Sequence, residues 1–161
     1  MVVIVSFLLF LISTPEKESV IVGTATTIYD GNTLEIVTTS NESYRVVLAG
    51  IDCPELTQEY GFEAKAFLEH EALHKKVSLV VCGKDRLKNY LGIVMLSDRK
   101  DVRHMLPGAG LAWTSEKDPD PSLESIRQQA AEMKTGLWKE DKPTAPWIHR
   151  RELSMREAKS R

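Results

Sequence analysis

Two carboxylates, Asp52 and Glu55, stand three residues apart across a proline in the run Ile51-Asp52-Cys53-Pro54-Glu55. A pair like this is a candidate site where the surrounding motif supports it. Seven residues before Asp52 stands Arg45. Its planar guanidinium suits two-pronged contact with carboxylate or phosphate. Further upstream, Tyr29-Asp30-Gly31-Asn32-Thr33 adds a carboxylate and an amide in a turn. There is a plainer reading for each residue. Asp52 and Glu55 could cap a following helix. Asp30 is read as holding the turn, with Gly31 free to take positive φ. Arg45 alternates with Tyr44 and Val46, so it points to the opposite face from them.

The elements that must position these groups follow from periodicity. Residues 20–29 alternate with β-branched side chains, placing Val20, Val22, Thr24, Thr26 and Ile28 on one face of a strand. Residues 33–38 and 43–49 read as two more strands, giving a three-stranded meander. Residues 59–74 carry Tyr60, Ala64, Phe67 and Leu68 at helical spacing. Strands follow at 77–81 and 91–96, a short helix at 102–109 and a longer one at 121–134 that Gly136 closes. Pro143 and Pro146 predict an extended arm before a last helix at 151–159. Five strands with a helix between the third and fourth is the order of an α+β OB-type Greek-key barrel, with about three helices packed on it.

Other groups carry less chemistry. His70 and His74 fall four apart on the predicted helix, but no further ligands accompany them. Trp113, Trp138 and Trp147 could stack bases or pack in the core. Cys53 and Cys82 are too few for a disulfide framework and are read as free thiols, although pairing stays open in an oxidising compartment.

The chain has 161 residues and a formal net charge of −2, enough for one domain with a core. A protein that holds duplex DNA by charge alone would be basic. The dense basic stretch is His149-Arg150-Arg151 followed by Arg156, Lys159 and Arg161, read as a solvated helix laced with Glu152 and Glu157. Residues 2–12 form an apolar run with Ser6 as its one polar residue, too short for a comfortable membrane span. The expectation is a signal peptide or apolar anchor at 1–15 and an extracytoplasmic protein, secreted, periplasmic or membrane-attached. No Lys or Arg precedes the run and no clear small-x-small cleavage site follows it, so the alternatives are an uncleaved anchor or a mis-called start that removed a basic leader; a buried first strand is the plainer reading. The remaining divisions are a domain at 20–140 and a C-terminal arm with a basic tail at 141–161.

In order along the chain, the motifs resemble the staphylococcal nuclease (thermonuclease) family. They are Tyr-Asp-Gly-Asn-Thr at 29–33, Tyr44-Arg45-Val46, Gly50-Ile51-Asp52-Cys53-Pro54-Glu55 and Tyr60-Gly61-Phe62-Glu63-Ala64. Gly83-Lys84-Asp85-Arg86, Ala109-Gly110-Leu111-Ala112-Trp113 and Gly136-Leu137-Trp138 continue them, and Ala145-Pro146-Trp147 with Arg150-Arg151 resembles the exported bacterial members. The resemblance implies calcium-dependent phosphodiester hydrolysis of DNA or RNA, acting on single-stranded or unpaired nucleic acid. It implies a calcium ion at Asn32, Asp52 and the Cys53 carbonyl, with Glu55 beside the attacking water and Arg45 on the phosphate.

The chain departs from the family pattern twice. Asn32 replaces a charged ligand with an amide, which predicts weaker calcium binding. Asn89 stands where the family carries its second phosphate-gripping arginine, a degraded catalytic position for which Lys88 or Arg86 could substitute. These departures predict weakened cleavage, which Asn32→Asp with Asn89→Arg would raise. The alternatives are a catalytically inactive pseudo-nuclease that binds nucleic acid or protein, and an envelope-attached interaction domain.

Overall fold

A computed structural model describes residues 20–160 of the chain. The expected leader, with its apolar run at 2–12, lies outside the described residues. In chain order the elements are β1 (Val20–Ile28), β2 (Thr33–Val37), β3 (Ser43–Leu48), β4 (Ile51–Asp52), α1 (Gly61–Ala72), β5 (Lys76–Lys84) and β6 (Tyr90–Leu96). They continue with α2 (Val102–Gly108), β7 (Trp113–Thr114), α3 (Pro121–Glu132), a 3₁₀ turn (Gly136–Lys139) and α4 (Pro146–Lys159).

Strands β1, β2, β3, β6 and β5 close a barrel in that order. All neighbours are antiparallel except β3 and β6, which run parallel. This is the expected OB-type α+β architecture, here with four α-helices. Closure leaves the barrel without a free edge. The short strands β4 and β7 pair separately, with Asp52 opposite Trp113.

Period-two alternation fills the barrel. Leu34 and Ile36 of β2, Val46 and Leu48 of β3, Val77 and Leu79 of β5, and Val94 of β6 are buried. Each contributes roughly 1.5–3 kcal/mol on leaving water. Leu68 of α1, Val102 and Leu106 of α2 and Leu123 of α3 extend the same core.

Three local expectations change. In β1 the inward residues are Gly23, Ala25 and Ile28, while Val20, Val22, Thr24 and Thr26 face outward. Ile36 and the backbone of Val37 crowd the space a Cβ at Gly23 would need, and a bulge between Ala25 and Thr27 resets the phase so that Ile28 turns in. Helix α1 stops at Ala72, and His74 sits beyond it at φ 61°, donating its backbone N–H to Ala25 O at 2.7 Å. His70 and His74 therefore do not share a helix face. Helix α4 begins at Pro146 rather than at residue 151, because a proline in the first turn has no N–H to lose there. That puts His149, Arg150 and Arg151 on one helix whose first turn docks on the domain.

Candidate active site

The turn between β1 and β2 is held as the sequence suggests, with Asp30 Oδ1 accepting the Asn32 N–H at 2.9 Å. The reason for Gly31 is different from the one expected. Its φ is not positive; instead, a Cβ there would fall 2.6 Å from Cys53 Cβ and 2.7 Å from Ala64 Cβ. The missing side chain lets the turn press against the start of the 53–60 loop. Asn32 Oδ1 consequently accepts the Cys53 N–H at 3.3 Å, which seats its amide against the Asp52–Cys53 peptide.

Asp52 is held by the β4–β7 pair, and Glu55 by a tight loop. The Glu55 N–H donates to Gln58 Oε1 at 3.0 Å and the Gln58 N–H returns to Glu55 O at 2.8 Å. Gly61 closes the loop, since a Cβ there would stand 2.0 Å from Glu55 O. Helix α1 has Tyr60 at its N-cap with no side-chain bond, so neither carboxylate is spent on capping it. Both face a cleft of about 580 Å³ that Asp30 and Asn32 also line.

Arg150 reaches this pair from α4. Its Nη1 donates to Asp52 Oδ1 at 3.1 Å and to Glu55 Oε1 at 2.7 Å, and its Nη2 donates to Asp52 Oδ2 at 2.7 Å. Burial pushes the Asp52 carboxyl above its ordinary value, Arg150 opposes that, and the negative charges of Glu55 and Asp30 add to the rise. In return the carboxylates hold the Arg150 guanidinium more firmly protonated than usual. Burial raises the Cys53 thiol well above its ordinary value, so Cys53 presents no thiolate to the cleft. Both cysteines are free, Cys53 buried and Cys82 exposed.

Contacts on both sides of Arg150 fix α4 in place. His149 Nε2 lies 2.8 Å from Thr57 Oγ1, Gln58 Nε2 donates to Thr144 O at 2.9 Å, and Arg151 pairs with Glu116 at 3.0 Å. Trp147 packs edge-on to Trp113 with ring centroids 5.7 Å apart, and Trp113 packs on Trp138 at 4.5 Å. The three tryptophans form a packing cluster, as the plainer reading has it.

The other expected site residues stand apart. Arg45 is exposed and stacks over the Tyr29 ring at 4.0 Å, pairing across β2–β3 with Glu35, and it does not line the cleft. Asn89 turns back onto Asp85, donating from Nδ2 to Asp85 Oδ2 at 2.8 Å and from its backbone N–H to Oδ1 at 2.9 Å. The Asn89 bond first of all lowers the Asp85 carboxyl. Arg86 and Lys88 are exposed in that turn and do not line the cleft.

Among the described residues no three His, Cys, Asp or Glu side chains converge as a closed metal site requires. The side-chain donors among the lining residues at this end of the cleft are hard oxygens, the carboxylates of Asp52, Glu55 and Asp30 and the Asn32 amide, and Cys53 lines it beside them. An open site of this chemistry, completed by water, fits calcium and not a thiolate-seeking metal.

Sequence reasoning missed Arg150. The basic tail reads as a solvated face, and the partners of Arg150 lie 98 and 95 residues away. The available signal was Pro146 as a helix start with Trp147 behind it, which would have placed Arg150 one turn from a packing anchor.

A family model described as staphylococcal nuclease homologue matches residues 45–140. An Escherichia coli O157:H7 protein described as an uncharacterized endonuclease is 32% identical over 147 residues, 91% of this chain and 95% of the relative. A Haemophilus influenzae protein of the same description is 31% identical over 131 residues, 80% of this chain and 73% of the relative. A Shigella flexneri protein named micrococcal nuclease is 26% identical over 140 residues, covering 80% of each.

Proposed function

The chain belongs to the staphylococcal nuclease family, and from that premise we propose that its cleft hydrolyses phosphodiester bonds of DNA or RNA with calcium as cofactor. The observation that carries this is the convergence of Asp52 and Glu55 on one cleft beside Asn32, joined by a guanidinium. The relatives named endonuclease and micrococcal nuclease support the same reaction class.

Asp52, the Asn32 amide oxygen and the Cys53 carbonyl would hold the cation, which supplies charge neutralisation at the phosphate when bound. Glu55 accepts a proton from a water whose oxygen forms the new P–O bond. The opposite P–O bond breaks, and the leaving oxygen takes up a proton in turn. Asn32 removes one negative charge from the ligand set, so weakened calcium affinity and reduced cleavage belong to the proposal.

Unpaired strands are the proposed substrate. The chain's net charge of −2 and the carboxylates around the cleft argue against holding a duplex by its phosphates. Export or membrane attachment through residues 2–12 is also proposed. Among the described residues no helix is long and apolar enough to cross a membrane.

A second reading, a binding module without cleavage, draws on the ion pair with Arg150, since a carboxylate already neutralised by a guanidinium is less available to a cation. The deciding experiment is cleavage of a quenched fluorescent single-stranded oligonucleotide with calcium, with chelator, and by Glu55→Gln. Calcium-dependent cleavage lost in the variant supports the enzyme. No cleavage by folded protein above that control supports the binding module.

A further inference from the structure

The cleft has an unusual charge balance. Asp30, Asp52, Glu55, Asp85 and Glu116 line it, and Arg150 is the one lysine or arginine among its lining residues. A phosphodiester carries negative charge that grows on its non-bridging oxygens during hydrolysis, and pre-positioned donors at those oxygens are worth large rate factors. Arg45 on Tyr29, Asn89 on Asp85, and the exposed Arg86 and Lys88 leave the lining to Arg150.

The hydrogen bonds of Arg150 also leave room. A guanidinium has five N–H groups. Both Nη1 hydrogens and one on Nη2 go to Asp52 and Glu55. Among the described residues the Nε–H and the second Nη2–H have no hydrogen-bond partner. These two lie side by side on one edge of the plane, the edge that pairs with two oxygens of a phosphate. The side chain is 48% exposed, so this edge need not be stripped of protein contacts before it binds. Its opposite edge is locked on Asp52, and Trp147, His149 and Arg151 anchor the helix turn around it. Arg150 also lies outside the stretch that the family model matches.

We propose that Arg150 is a phosphate-gripping catalytic residue delivered by α4, its inner edge fixed on Asp52 and Glu55 and its outer Nε–Nη2 edge taking two oxygens of the substrate phosphodiester. This rests on the hydrolase reading above. Arg150 thereby couples the docking of α4 to substrate binding.

The test compares the full chain with Arg150→Gln and Arg150→Lys. All are checked for folding by thermal melting and assayed on a single-stranded oligonucleotide at saturating calcium, with calcium binding measured by calorimetry. Arg150→Gln is expected to bind calcium at least as tightly as the native chain and to lose about 10²–10³ in kcat. Arg150→Lys should fall between the two, because a lysine supplies charge without the fork. Cleavage by Arg150→Gln within threefold of native would overturn the proposal. So would a loss explained by lost calcium binding, which would make Arg150 a positioning residue for the carboxylates. If the native chain does not cleave, the hydrolase reading fails separately. Affinity for the intact oligonucleotide in calcium then decides: at least tenfold weakening in Arg150→Gln, absent when the bound phosphate is replaced by a neutral methylphosphonate, supports the grip. Equal affinity overturns it.

Discussion

Arg150 Nη2 stands 2.7 Å from Asp52 Oδ2, joining the fourth helix to the two-residue strand pair β4–β7. Asp52 pairs across β4–β7 with Trp113, Trp113 packs on Trp147, and Trp147 lies three residues before Arg150 on α4. The four residues close a ring in which each fixes the next. The cleft is therefore lined chiefly by residues between Asp30 and Glu116, and α4 adds Trp147 and Arg150 to it.

The two carboxylates should separate by function when replaced. Asp52→Asn is expected to abolish calorimetric calcium binding and cleavage together. Glu55→Gln should keep calcium binding while lowering kcat by at least a hundredfold. Both groups are partly exposed, so each change should move stability by only about 1 kcal/mol. Calcium binding retained by Asp52→Asn would count against the assigned ligand.

Trp147→Ala should act at a distance. It removes the ring that seats α4 on Trp113 and costs about 2 kcal/mol, less than a fully buried tryptophan because this one is half-buried. Hydrogen exchange should quicken in the first turn of α4, and KM and kcat should both worsen although no catalytic group has changed. Unchanged exchange in α4 would show that the tryptophan contact does not hold the helix.

Much of this was legible in the chain itself. Leu34, Ile36, Val46 and Leu48 alternate cleanly and mark their strands, and the barrel class follows from five strands with a helix between the third and fourth. Asp30 as a turn residue and Asp52 with Glu55 as neighbours in one site were readable from short-range chemistry. What was not legible depended on close packing or long range. Gly23 and Ala25 face inward because neighbours leave no room for more, which no β-branched pattern can announce. Gly31 is small because Cys53 and Ala64 press on it. Arg45 looked like a cleft residue by its face of the strand, yet the Tyr29 ring captures it.

Restoring the two departures from the family pattern should have unequal effects. Asn32→Asp adds a charged oxygen where the amide now meets the Cys53 N–H, and calcium should bind about tenfold tighter by calorimetry. Asn89→Arg gives up the side-chain bond to Asp85, while the Asp85 bond to the Leu87 N–H still holds the turn. With Arg150 already in the cleft, Asn89→Arg should change kcat/KM of the native chain by less than threefold. On an Arg150→Gln background the gain should exceed tenfold. An equal gain on both backgrounds would mean that the two positions do not share a role.

Acid should loosen the site through Glu124 on α3. Its carboxylate accepts from Thr114 Oγ1 of β7 at 2.5 Å, from Arg127 at 2.7 and 3.0 Å and from Gln128 at 3.0 Å. Arg127 foremost, then Thr114 and Gln128, bring the pKa of this carboxyl down from 4.5 to about 2. A carboxyl lowered on folding stabilises the protein above its unfolded value, and that stabilisation is lost as pH falls from about 4.5 to about 2. The side chain is 26% exposed, so solvent screening trims the contribution to about 1 kcal/mol. Urea unfolding should show Glu124→Gln less stable than the native chain by about that amount at neutral pH, with the two converging near pH 2. Thr114 pairs with Ile51 beside Asp52, so the variant should also lose activity in step with β7 order at neutral pH. A stability gap that persists unchanged at pH 2 would show that packing, not the carboxylate, does the holding.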